Sequence, residues 1–299
     1  MSFRKTVFRW YLRTAFWLLV FVPAVALVTA RDSVSFTDPE APHFPNENML
    51  RACIYAYTIV CFRASFVENL DRHAWILAEF GAPCLILWGT LIELYDCCVN
   101  ASKHAGMTFI GAYFITIGGL LALLRWPDLE DSLWSGPKSV GRFFAQLPGR
   151  IRSPKSPRPV AYFALFIAVL FTVVVALLQP GIGLAFRWYP YKDPAALGPT
   201  ESIIMAFFVP FAIIMYRVFD DLYAPYNILF TEFASLMGFF HGFVMMTDSI
   251  MGTQGNTNIH HVVGGDVLLM FIIGTVLAAY HPGIGSISAP DHGMIRIGG

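Results

Sequence analysis

The sequence predicts an all-α integral membrane protein, with eight transmembrane helices arranged as two four-helix repeats in parallel orientation. Three observations carry that expectation: an apolar composition, eight separated apolar runs, and acidic and basic residues that recur after about 154 positions. Hydrophobic residues are 56% of the chain and charged residues 13%, with mean hydropathy +0.59. Soluble domains run nearer ~45–50% apolar and ~25% charged, so a soluble class is excluded. Formal net charge is zero, and a basic stripe interleaved with aromatics is missing outside one linker, which argues against nucleic acid. The expected partners are the lipid bilayer and other membrane subunits.

The elements follow in order. The basic, aromatic stretch MSFRKTVFRWYLRT precedes a first apolar run, Ala15 to Ala30. The VTA before Arg31 also resembles a signal-peptide cleavage site. A retained span is the preferred reading, because the second half holds a counterpart. A polar, Pro-bearing external loop runs to Asn48, and a second span covers Met49 to Phe66 with Arg51 and Arg63 near its ends. The third, His73 to Leu94, carries Glu79 and Glu93; the fourth, Met107 to Leu124, has Gly111, Gly118 and Gly119 for close helix approach. Residues 128–159 form a basic cytoplasmic linker between the units 1–127 and 160–299. Its SVGRFFAQL stretch reads as a surface amphipathic helix or as plain solvated linker.

The fifth span opens at Val160 and runs to Leu178 without a charge, roughly 28 Å at helical rise and enough for a bilayer core. The sixth is Ser202 to Tyr216, with Pro210 inside; the seventh is Tyr226 to Thr247; the eighth is Val262 to Tyr280. Basic residues gather at the N-terminus, at Arg63 to Arg72, in the linker, at Arg217 and at Arg296. The positive-inside rule then places both termini in the cytoplasm. Arg187 and Lys192 in an external loop are the discordant pair.

The repeat rests on register. Glu47 and Glu201 open corresponding spans, and Arg63 and Arg217 close them, each pair 154 apart. Glu79-Phe80 matches Glu232-Phe233 at a shift of 153, as Gly89 matches Gly242. Four spans per unit is even, so the units share one orientation and are related by an axis along the membrane normal.

The five cysteines, Cys53, Cys61, Cys84, Cys97 and Cys98, all lie in the first half. Their odd number and the lack of C-x-x-C spacing argue against a disulfide framework or a zinc motif. Those in apolar runs are expected to act as small hydrophobes, and Cys97–Cys98 to sit at a membrane surface.

The second half, roughly 165–282, resembles an uncharacterised family of small four-helix bacterial membrane proteins. The pattern is an acidic residue opening the second span (Glu201), a histidine late in the third (HGFVMM, from His241), a histidine followed by Gly-Asp-Val (HHVVGGDV, 260–267), and Pro282 closing the last span. This chain departs by two histidines before an extra residue and by a degenerate upstream copy. The resemblance implies a four-helix fold and a bacterial inner membrane, and no settled activity.

Intramembrane ionisable groups are costly and so mark candidate sites. His241 and Asp266 are expected at one level, within roughly 6–10 Å of the outer interface. His241, Met245 and Asp248 share a helix face, and His260 and His261 sit at its mouth. Three readings stay open. His241 and Asp266 form a helix–helix staple. His241, Asp266, His261, His260 and Asp248 form a protonatable gate or ligand site. Or His241, His261 and Asp266 hold a metal or haem, although no cofactor is the primary expectation. Glu79 and Glu232 are the second candidate pair. They either share a proton or pair with basic neighbours, Arg72 for Glu79 and Arg217 for Glu232.

No nucleophile elbow, H-E-x-x-H, phosphate loop or dinucleotide fingerprint occurs, so catalysis is not the expected role. The sequence points to a non-enzymatic accessory or structural membrane subunit, or a binder of a small or lipid-like ligand. A proton-linked transporter or channel is the second class, and an outer-face metal or haem protein the third.

Overall fold

The computed structural model describes residues 3–30, 44–68, 70–98, 105–125, 145–146, 148–149, 151–177, 199–251 and 266–282. Among them the chain is all helical, with no strand. Four helical stretches are long and apolar enough to cross a membrane: Phe3–Ala26, Trp75–Glu93, Thr108–Arg125 and Pro225–Thr247. They make this a membrane protein.

The first rod differs from its expected span. Helix α1, Phe3–Phe16, begins in the basic stretch, so the rod starts well before Ala15. It continues through a π turn at Trp17–Phe21 into α2, Val22–Ala30. Pro23 explains the π turn. It has no N–H to give the carbonyl one turn back, and its ring clashes with that carbonyl in a regular helix. The wider turn closes instead with the Val22 N–H on the Trp17 carbonyl.

Helix α3, Phe44–Ala64, ends in a turn where the Ser65 N–H meets the Cys61 and Phe62 carbonyls. A short α4, Leu70–His73, leads into α5, Trp75–Cys98, and α6, Ala105–Arg125, follows. The second half holds α7, Arg158–Leu177; α8, Pro199–Asp220; α9, Pro225–Met251; and α10, Asp266–Tyr280. Helix α9 continues past the expected end at Thr247. The SVGRFFAQL stretch falls mostly outside the described residues.

The helices pair in a regular way. Within the first half α1 packs on α3 and α5 on α6; within the second α7 packs on α8 and α9 on α10. The two largest contacts between halves cross, α3 lying on α9 and α8 on α5. Glycine permits the close pairs. A Cβ on Gly238 of α9 would fall 2.7 Å from backbone atoms of Met270 and Gly274 on α10. One on Gly118 of α6 would fall 2.9 Å from the Ala82 carbonyl of α5. Such small-residue contacts drive helix association where lipid removes the hydrophobic incentive.

The core lies on the boundary between halves. Phe80 of α5, Phe207 and Phe211 of α8, and Phe230 and Phe233 of α9 form one aromatic cluster, with Phe80 and Phe233 centroids 4.9 Å apart. Such offset rings are worth about 0.5–1.5 kcal/mol per pair beyond buried area. Tyr57 ties three helices together. Its hydroxyl donates to the Leu77 carbonyl at 2.7 Å, so the Tyr11 hydroxyl, 3.2 Å away, is the donor between the two tyrosines. Gly81 leaves room for this, since any Cβ there would collide with the Tyr57 hydroxyl.

The linker's last residues are pinned to the second half. Ser156 is buried; its hydroxyl donates to the Val218 carbonyl at 2.9 Å and accepts from the Leu222 N–H at 2.6 Å. The Lys155 N–H adds a bond to the Asp220 carbonyl.

Candidate functional site

The Arg63 and Arg217 end of the bundle gathers the buried charge. Arg63 stands in the last turn of α3 and Arg217 in the last turn of α8. Glu79 lies one turn into α5, with its side chain 3% exposed. Arg217 Nη1 reaches Glu79 Oε2 at 2.5 Å. Arg125, closing α6, holds the other oxygen through Nε at 2.9 Å and Nη2 at 2.8 Å. One carboxylate thus carries two guanidinium groups.

This corrects the expected pairing. Glu79 is bound by Arg125 and Arg217, while the side chain of its expected partner Arg72 lies outside the described residues. Glu232 was expected to take Arg217 and instead pairs with Arg63. The physical reason is the crossed packing. With α3 on α9 and α8 on α5, each helix-ending arginine faces the acidic helix of the other half. Glu79 and Glu232 each pair with an arginine across the boundary.

The two clamps are unequal. Among the described residues the Arg63–Glu232 contact is single, and buried Arg63 Nη2 and Glu232 Oε2 find no hydrogen-bond partner there. Arg125 also lies 5.8 Å over the Trp75 ring, which stacks on Phe8 at 4.1 Å, and Arg217 lies 4.6 Å over the Tyr226 ring. These cation–π contacts hold the guanidinium groups where the carboxylate needs them. Just beyond α10, His281 is hydrogen-bonded to the backbone of Ile228. Burial first, and the charge of Arg63 second, push its pKa below the ordinary histidine value.

The other candidate site is met only in part. His241 is buried on α9 at 8% exposure. It lies ten residues before the end of α9 at Met251 and six before Thr247, where the apolar stretch Pro225–Thr247 ends. Its Nδ1 stands 3.8 Å from the Cys53 sulfur on α3. The side chains of Asp248 and Asp266, and His260 and His261 altogether, lie outside the described residues. Among the described residues no group of three or more His, Cys, Asp or Glu gathers as a metal would need.

One residue of the site, Arg125, escaped the sequence reading. Arg125 closes the fourth apolar run, a position usual for an interfacial basic residue, and nothing local in the sequence marks it as a partner of Glu79. Cys53 is a free, buried cysteine of the core, as expected of a cysteine in an apolar run. It lines a cavity of about 40 Å³ with Cys84, Tyr57, Phe80, Trp88 and Phe207. No protein-family model, curated protein or solved structure matches the chain.

Proposed function

We propose that the chain is a non-enzymatic membrane protein of eight spans, two parallel four-helix units clamped together at their cytoplasmic ends. Its role is that of an accessory or structural subunit, or a binder of a small apolar or lipid-like ligand. The observation that carries this reading is the reciprocal clamp: Arg63 to Glu232 in one direction, Arg217 to Glu79 in the other. The four residues are 154 and 153 apart in sequence, and the helices that carry them pack in the same crossed order. That reciprocity supports a duplicated unit, because a twofold-related interface makes residue i meet j and j meet i. The basic ends then face the cytoplasm by the positive-inside rule.

A charge exchange tests the clamp. Arg63→Glu lowers the melting temperature of the detergent-solubilised protein, and adding Glu232→Arg restores most of the loss. A double variant no more stable than the single one removes the basis of the reading.

A proton-linked transporter is the second reading, favoured by the single contact and unfilled oxygen of Glu232. Vesicles holding the protein and a trapped pH-sensitive dye decide between them. The structural role predicts no proton entry above empty vesicles. Entry abolished by Glu232→Gln would put transport first. The third reading, an outer-face metal or haem site on His241, His261 and Asp266, predicts a bound chromophore or metal lost on Asp266→Ala.

A further inference from the structure

We propose that the exposed face of α7 binds one anionic phospholipid, whose phosphate is received by Arg152, Lys155 and Arg158. This site gives the lipid-like ligand of the reading above a place and a charge, and it rests on that reading. Tyr162, Phe166, Val169 and Val173 are 45%, 54%, 45% and 47% exposed. They fall at i, i+4, i+7 and i+11 and so share one face of the helix. The opposite face is taken up by α8, where Phe171 meets Phe208 and Phe211. From Tyr162 to Val173 the exposed face is roughly 16 Å long at helical rise, close to the roughly 15 Å depth of one leaflet. Arg158 is exposed one turn before Tyr162 and continues the same face.

The cations are held in place beside that face. The Tyr162 hydroxyl donates to the Ile151 carbonyl at 3.3 Å, which folds the segment before α7 back onto its first turn. Ser156 is buried with its two bonds to α8 and the turn after it, and the Lys155 N–H meets the Asp220 carbonyl. The side chains of Arg152 and Lys155 remain exposed on this pinned backbone. Little ordering is left to be done when a ligand arrives, which favours binding. Asp221, in the turn between α8 and α9, stands close enough to Lys155 to share its charge. Arg152 and Arg158 have no carboxylate partner among the described residues. Their planar guanidinium groups match the oxygens of a phosphate.

Charge and shape together select the occupant. A free phosphate would meet the cations but none of the apolar face. A choline or ethanolamine lipid would cover the face but bring a positive charge of its own to the arginines. An anionic headgroup avoids that conflict, at a preference of about fivefold for each unanswered basic residue, or roughly 25-fold for Arg152 and Arg158 together.

The test uses the full-length protein in phosphatidylcholine vesicles that hold a small share of phosphatidylglycerol with a photoreactive diazirine in its acyl chain. After illumination and digestion, mass spectrometry reads which residues carry the label. The expected result is label on residues 162–173, displaced by unlabelled phosphatidylglycerol roughly 25-fold more readily than by phosphatidylcholine. Arg152→Gln together with Arg158→Gln abolishes that preference. Arg13→Gln, at an exposed basic residue of α1, leaves it unchanged. Equal displacement by the two lipids overturns the proposal on the parent protein alone, whether or not the variants fold. Displacement by glycerol phosphate as strong as by phosphatidylglycerol also overturns it, because the cations then serve a soluble anion. Preferential label on another helix overturns this site and leaves the lipid-binding reading standing; no preference anywhere on the chain overturns both.

Discussion

Arg217 and Glu79 belong to opposite halves of the chain, yet their side chains meet at 2.5 Å, with the carboxylate 3% and the guanidinium 13% exposed. A buried acid with two arginines leaves no good option when the acid is removed. Glu79→Gln keeps the shape but strands two guanidinium groups. Breaking a buried pair in this way costs about 3–5 kcal/mol. The expected outcome is a large fall in melting temperature, read by fluorescence-detected size exclusion after heating. Glu232→Gln strands one arginine only and is expected to cost less. Equal falls would contradict the ranking of the two clamps.

Glycine spacing gives a paired prediction. Gly238→Ala sets a methyl against the backbone of Met270 and Gly274, which cannot swing aside. Overpacking of this kind costs about 1–3 kcal/mol, so α9 and α10 should loosen. Gly119→Ala meets nothing within 4 Å and is expected to be neutral. Thermal unfolding of the two variants side by side checks the contrast.

Ser156 predicts how the linker is held. Ser156→Ala removes the acceptor of the Leu222 N–H and the donor to the Val218 carbonyl. An orphaned buried backbone group costs about 1–3 kcal/mol. The readout is limited proteolysis: the variant should be cut faster at the residues around Lys155 than the parent protein. An unchanged cutting rate would show that these bonds do not hold the segment.

His281 supplies a pH dependence with a definite sign. Its folded pKa lies below the ordinary value near 6.5, by burial and then by the Arg63 charge. The unfolded chain therefore binds the proton more readily, and stability rises with pH across the window between the two values. The contribution is fully present above the unfolded pKa and is lost as pH falls through the folded one. His281→Gln should flatten the melting temperature between pH 7 and pH 5 (about the range in which an ordinary histidine titrates). A slope identical to that of the parent protein would assign the dependence to other groups.

Much of the architecture was legible because apolar runs report helices directly. Helical rods occur at each predicted apolar run, and the residues of the register, Arg63, Glu79, Arg217 and Glu232, carry the buried ion pairs. Their partners were not legible. Sequence proximity favoured Arg72 for Glu79 and Arg217 for Glu232, whereas pairing depends on which helix crosses which, a relation between distant segments. Local charge misled as well. The helix through Phe3 to Ala30 was read as a short span because the basic residues before Ala15 hid its beginning. The Cys53–His241 contact joins positions 188 apart and left no local mark in the chain. Of the expected outer-face cluster, only His241 has a described side chain.

The crossed clamps also bear on how the chain is made. When the chain has been made as far as α6, Glu79 already has Arg125 within reach, but the acid that answers Arg63 has not been synthesised. Arg63 must wait for Glu232, more than 160 residues later, with a positive charge at the rim of a half-finished bundle. The first half of the chain is therefore electrically incomplete until the helix that carries Glu232 arrives.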